Sequence, residues 1–144
     1  MSSAARTGSR KIRTYVLDTS AILTFLKAEP GVEILDDLFS GTDRHFIISF
    51  LTLYEIYTAT FRNHSKQAAD FLLRATLQLG LDIDYDNALD EVISAGIVCG
   101  DFQVSPIGAW IASLAIRKRA ALVHKDPEFE ALKDHLDLLY LSSR

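Results

Sequence analysis

Cysteine is almost missing from this sequence: Cys99 is the only one, so no internal disulfide can form and a reducing, cytoplasmic setting is expected. Long apolar runs are missing too. None approaches the roughly 20 residues of a membrane span, so no bilayer partner is expected. Positive charge is in deficit, with 15 Lys and Arg against 19 Asp and Glu and a net charge of −4. A global attraction to nucleic acid is thereby excluded, and any such contact has to come from a local basic patch. There are no internal repeats, low-complexity tracts or interdomain linkers.

What is present is an ordinary globular composition. Of 144 residues, 49% are apolar and 24% charged, enough for one domain with a real core. Arg6, Arg10, Lys11 and Arg13 lie near the start with no apolar stretch after them, which argues against a signal peptide. Residues 1–12 read as a flexible basic arm and residues 13–144 as the domain.

Strand and helix patterns alternate along the domain. Ile12–Leu17 is β-branched and aromatic, hence strand-like. Residues 20–27 and 32–39 carry helical apolar spacing, separated by Pro30-Gly31. A short buried strand at 44–50 precedes a helical hairpin at 51–61 and 68–79. The alternating stretch 81–85 is a third strand, and 88–98 is helical before an expected loop at 100–105. Ser105 and Pro106 form an N-cap and first-position pair for the next helix. Strands at 120–123 and 138–141 flank a short helical turn at 129–133. This order predicts an α/β domain with a central, mostly parallel sheet of four to five strands and helices on both faces.

In such a sheet, ligands bind beyond the carboxyl ends of the strands. Asp18 stands just past the first strand, and Asp126 just past Leu122-Val123. Glu55 lies early in the helix after the second strand, among apolar neighbours. Each has a plainer reading: a helix N-cap for Asp18, an Asp-Pro turn for Asp126, and a helix-surface acid or an ion pair with Arg62 or Lys66 for Glu55. As a set, three acids at one sheet end repel each other. A divalent cation relieves that repulsion, and hard oxygen ligands suit Mg²⁺ or Mn²⁺.

Four blocks carry a family resemblance: Val16-Leu17-Asp18-Thr19-Ser20-Ala21, Leu53-Tyr54-Glu55-Ile56, Gly108-Ala109-Trp110-Ile111-Ala112-Ser113, and Leu122-Val123-His124-Lys125-Asp126-Pro127-Glu128-Phe129. From about Arg13 to Leu141 the chain resembles the PIN-domain ribonucleases, the fold of the VapC toxins of VapBC toxin–antitoxin pairs. The resemblance implies a Mg²⁺- or Mn²⁺-dependent endoribonuclease. Asp18, Glu55 and Asp126 fall on its acidic, metal-holding positions, and Thr19 or Ser20 on the hydroxyl position that orients the first carboxylate. It also implies an RNA substrate, a VapB-like antitoxin and a homodimer.

One block departs from the pattern. The family carries a metal-binding Asp at the start of the third block, where this chain has Gly108. That place is the third helical position after the Ser105 cap. An acid is favoured there by the helix dipole, and Gly costs roughly 0.5–1 kcal/mol against Ala. A lost carboxylate worth roughly 3–4 kcal/mol weakens divalent binding about 300–1000-fold. Three outcomes stay open: a weakened nuclease with water in the gap, an inactive scaffold that binds antitoxin or regulates, or replacement by another acid, with Asp101 the nearby candidate. Lys125, Arg117 and Arg119 are the local cations available to RNA, together with Lys118 and, on the hairpin, Arg62, Lys66 and Arg74. Leu53, Tyr57, Phe61 and Phe71 offer the hairpin an apolar face for a partner. Trp110 and Cys99 read as core residues, and His124 as a packing residue.

Overall fold

The computed structural model describes residues 11–142, so the expected basic arm over residues 1–12 lies almost wholly outside the described residues. The elements run β1 (Arg13–Leu17), α1 (Thr19–Leu26), α2 (Val32–Ser40), β2 (Arg44–Ser49), α3 (Phe50–Asn63), α4 (Lys66–Leu77), β3 (Asp82–Asp84), α5 (Leu89–Phe102), α6 (Pro106–Arg117), β4 (Ala121–His124), a 3₁₀ turn (Pro127–Leu132) and β5 (Leu138–Tyr140).

The strand order is β3-β2-β1-β4-β5, and every neighbouring pair is parallel. Strands in a parallel sheet are apolar on both faces because helices cover both. That is what the alternation in β1 produces. Val16 joins Ile47 and Leu122 in one core, against Ile111 and Leu114 of α6 and Phe129 and Leu132 of the 3₁₀ turn. Tyr15 and Leu17 point the other way, into a second core with Ile48, Val123, Ile22 of α1, Leu35 of α2 and Ile56 of α3.

From β1 the chain passes to β2 and β3 on one side, then crosses to β4 and β5 on the other. The connection therefore reverses between β1 and β4, and the crevice beyond that pair is where open α/β sheets bind ligands. The Asp18 N–H donates to Val123 O at 2.9 Å, which carries the β1–β4 pairing one residue past the strand. A glycine is required close by. Gly31 has φ +98, and a Cβ on it would approach Leu141 O to 2.9 Å.

Most boundaries fall within two residues of the sequence expectation, and two of the shifts have a visible cause. Helix α4 starts at Lys66 rather than 68, because Ser65 caps it by accepting from the Ala68 N–H at 3.1 Å. Helix α5 runs through Gly100 and Asp101 to Phe102, where a loop was expected. It ends only at Gln103, which turns left-handed at φ +57.

Leu122 is fully buried at the centre of the sheet, whereas Leu89 is 73% exposed on α5. Leu122→Ala should cost about 2–5 kcal/mol of stability and Leu89→Ala less than about 0.5 kcal/mol. Urea unfolding of the two variants measures the contrast, and similar losses would contradict this placement of the core.

Candidate active site

Asp18 is the N-cap of α1. The residue is 5% exposed, so its carboxylate is largely withdrawn from solvent at the base of the cleft. Ser20 supplies two donors to Asp18 Oδ2, its N–H at 3.1 Å and its hydroxyl at 2.5 Å. The Ser20 Oγ in turn accepts from the Lys125 N–H at 2.9 Å, so the chain leaving β4 fixes the hydroxyl that orients the carboxylate leaving β1. Burial raises the Asp18 carboxyl from 3.8 to about 6, hydrogen bonds from Ser20 oppose that rise, and the Glu55 charge adds to it.

Glu55, half-buried near the start of α3, accepts a short hydrogen bond from the Thr19 hydroxyl. The two hydroxyls thus divide the work. Ser20 orients Asp18, and Thr19 orients Glu55. Glu55 pairs with neither Arg62 nor Lys66, and the Lys66 ammonium is held by Asp70 at 2.9 Å. Asp126 caps the 3₁₀ turn by accepting from the Glu128 N–H at 3.0 Å. Its N-cap and Asp-Pro turn roles are real, and Asp126 faces the cleft as well.

These side chains line one cleft of about 280 Å³. Asp18, Thr19, Ser20, Glu55 and Asp126 meet there with Leu23, Ala59, Ser105 and Gly108. Glu128 also lines the cleft, and the sequence reading missed it. Its carboxylate accepts from the Ser105 N–H at 2.8 Å and the Ser105 hydroxyl at 2.9 Å. The available signal was the Asp126-Pro127-Glu128 run, since a cap followed by Pro starts a tight turn that brings Glu128 back toward the strand end.

The other expected residues lie elsewhere. Asp101 is exposed at the end of α5 and does not line the cleft. Lys125 spends its ammonium on Pro30 O at 2.6 Å. Arg117 is paired with Glu91 and lies 3.9 Å from Asp86. Arg119, left-handed at φ +50, lines a separate pocket with Arg13 and Lys118. None of these cations lines the acidic cleft. His124 is buried between Phe129 and Tyr140, and its Nδ1 lies 3.0 Å from Asp126 O. The Cys99 thiol donates to Val104 O at 3.1 Å beside the first core. Trp110 is half-buried, edge-on to Phe50.

The donor set suits a hard divalent cation. It consists of carboxylates and hydroxyls, and among the described residues no cationic side chain lines the cleft. Among the described residues, no three His, Cys, Asp or Glu side chains stand at the spacing of a ready-made metal cage. Side chains and water would therefore share the coordination of an ion held here.

Fold and cleft together define a parallel α/β domain with an all-oxygen, carboxylate-rich site at its topological switch point. The chain belongs to the PIN-domain family, whose profile matches residues 15–134. No curated protein sequence matches it significantly. Its fold is similar to several solved toxin–antitoxin proteins. VapBC bound to DNA from Salmonella typhimurium aligns at TM-score 0.71 and 20% identity, over 90% of this chain and 99% of that one. VapBC-1 from nontypeable Haemophilus influenzae gives 0.67 and 20%, over 89% and 98%. VapC20 of Mycobacterium tuberculosis, a toxin that cleaves the sarcin–ricin loop, gives 0.66 and 18%, over 81% and 93%. Among the described residues, no single helix is long and apolar enough to cross a membrane.

The Asp18 carboxyl gives a stability prediction with a definite sign. A carboxyl raised on folding binds more protons in the native state, so the contribution of Asp18 to stability is greatest below pH 3.8 and falls as pH rises through about 6. At about 1.4 kcal/mol per pH unit, ionised Asp18 costs the metal-free protein about 3 kcal/mol above pH 7. Asp18→Asn keeps an acceptor for Ser20 and removes the charge. In chelator, it should stabilise the protein by up to about 3 kcal/mol at pH 7.5 and by almost nothing at pH 3.5. Urea titrations at several pH values measure the gain, and a gain independent of pH would refute the assignment.

Proposed function

We propose that this chain is a divalent-metal-dependent endoribonuclease of the VapC toxin type. The observation that carries the reading is the cleft itself: Asp18, Glu55, Asp126 and Glu128 line it and, among the described residues, no cation does. Membership of the PIN family and the fold likeness to VapBC toxins support it.

Asp18, Glu55 and Asp126 are the residues that would hold Mg²⁺ or Mn²⁺. Such an ion supplies charge neutralisation on a phosphodiester and a water activated at neutral pH. The protein's own part is orientation. Ser20 fixes the rotamer of Asp18, and Thr19 fixes that of Glu55. The Lys125 N–H locks Ser20, so the two strand ends move as one unit. Glu55, less buried than Asp18, is the carboxylate placed to take a proton from the attacking water.

A short antitoxin and a second copy of the chain are the partners carried over with this reading. The surface has room for both. Phe61 on α3 and Phe71 on α4 are exposed, and Leu89, Ile93 and Ile97 form a bare apolar line along α5. Leu53, by contrast, packs into the second core, and Tyr57 donates to Asp70 at 2.8 Å.

Purified protein should cleave structured RNA in Mn²⁺, and EDTA or Asp18→Asn should abolish the cleavage. Its expression should slow growth in the wild-type form but not in the Asp18→Asn form. RNA left intact by a chain that still binds a co-encoded antitoxin would reject the enzyme reading and assign a non-catalytic scaffold.

A further inference from the structure

The strongest departure of this chain from its family is Gly108, and the structure shows what fills the space. A Cβ built on Gly108 would lie 2.5 Å from Glu128 Oε2 and 2.8 Å from Ser105 Oγ. The Glu128 carboxylate thus occupies the volume into which a side chain at 108 would project. It also takes over a hydrogen bond. An acid at the third position of a helix normally reaches back to the N–H of the N-cap residue. Here that N–H belongs to Ser105, and Glu128 accepts from it at 2.8 Å, from 20 residues further along the chain than position 108. The Ser105 hydroxyl still accepts from the Gly108 N–H at 3.2 Å, so the rest of the cap is intact.

We propose that Glu128 is the fourth carboxylate of the cleft, supplied by the 3₁₀ turn in place of an acid at position 108, and that Gly108 and Glu128 form a compensating pair. This rests on the reading of the cleft as a divalent-cation site. Ser105 donates one hydrogen bond to each Glu128 oxygen, and a carboxylate oxygen can accept more than one. Glu128 therefore remains able to hold a cation or a water bound to one. Gly108 is then not an empty place. It is the residue that admits Glu128, and any side chain there competes with it.

The experiment is calorimetric titration of Mn²⁺ into the metal-free full chain, with unfolding measured on the same samples. Glu128→Gln keeps an acceptor for Ser105 and removes the charge, and it should weaken Mn²⁺ about 10–100-fold. Gly108→Asp alone should lower stability and bring no gain in affinity, because two carboxylates contend for one space. Glu128→Ala should weaken Mn²⁺ at least as much as Glu128→Gln, and adding Gly108→Asp should win back at least tenfold of that loss. A purely structural cap predicts altered unfolding with unchanged Mn²⁺ affinity, and that result overturns the proposal. So does a G108D/E128A double variant that binds no better than E128A. If Asp18→Asn abolishes Mn²⁺ binding while both Glu128 variants bind normally, this proposal fails and the metal site stands. If the wild-type chain binds no Mn²⁺, both fail.

Discussion

The site depends on a buried negative charge that no described side chain counters. Asp18 is held by an amide and a hydroxyl, and among the described residues no cationic side chain lines its cleft. Proteins rarely bury a lone carboxylate, because the lost hydration is repaid only by a partner charge or by protonation. The carboxyl is accordingly pushed up to about 6, close to neutrality. A neighbouring cation could have relieved this, and Lys125, whose N–H bonds Ser20 Oγ, stands close enough in space to do so. Instead its ammonium is turned to Pro30 O and only its backbone N–H serves the site, through Ser20. The unrelieved charge makes the cleft receptive to a cation from outside.

The geometry follows from the topology around β1 and β4. Their parallel pairing continues through the Asp18 N–H to Val123 O, and Ser20 Oγ bridges Asp18 to the Lys125 N–H. Three contacts in a row thus tie the end of one strand to the end of the other. Glu55 joins them through Thr19, the residue next to Asp18. The carboxylates are set by backbone and hydroxyl contacts at the ends of buried strands, which is a stiffer mounting than a surface loop provides.

Much of this was legible in the sequence, for identifiable reasons. Alternation in Tyr15-Val16-Leu17 and the apolar run before His124 mark strands buried on both faces. An acid directly after such a strand can only lie at its carboxyl end, so Asp18 and Asp126 were readable from order alone. Glu55 was readable as a charge in an apolar setting. Glu128 was missed, because the Asp126-Pro127-Glu128 run marks only a tight turn, whereas the contact with Ser105 spans 23 residues and no local pattern records it. The surroundings of the cations were not legible for a different reason: Arg117 and Arg119 look free in the sequence, but Arg117 is paired with Glu91, and Arg119 lines a different pocket. The end of α5 was misplaced because Gly100 suggests a break, whereas the helix tolerates it and stops at Gln103.

The charge balance around the cleft sets an order of events on the proposed reading. A phosphodiester approaching four carboxylates meets repulsion, and the chain as a whole, at −4, offers no compensating field. Of the cations offered to RNA, Lys125, Arg117 and Lys66 are held by Pro30 O, Glu91 and Asp70, and none of the seven lines the cleft. Affinity for the scissile phosphate cannot then precede the divalent ion, because the ion is what changes the sign of the cleft.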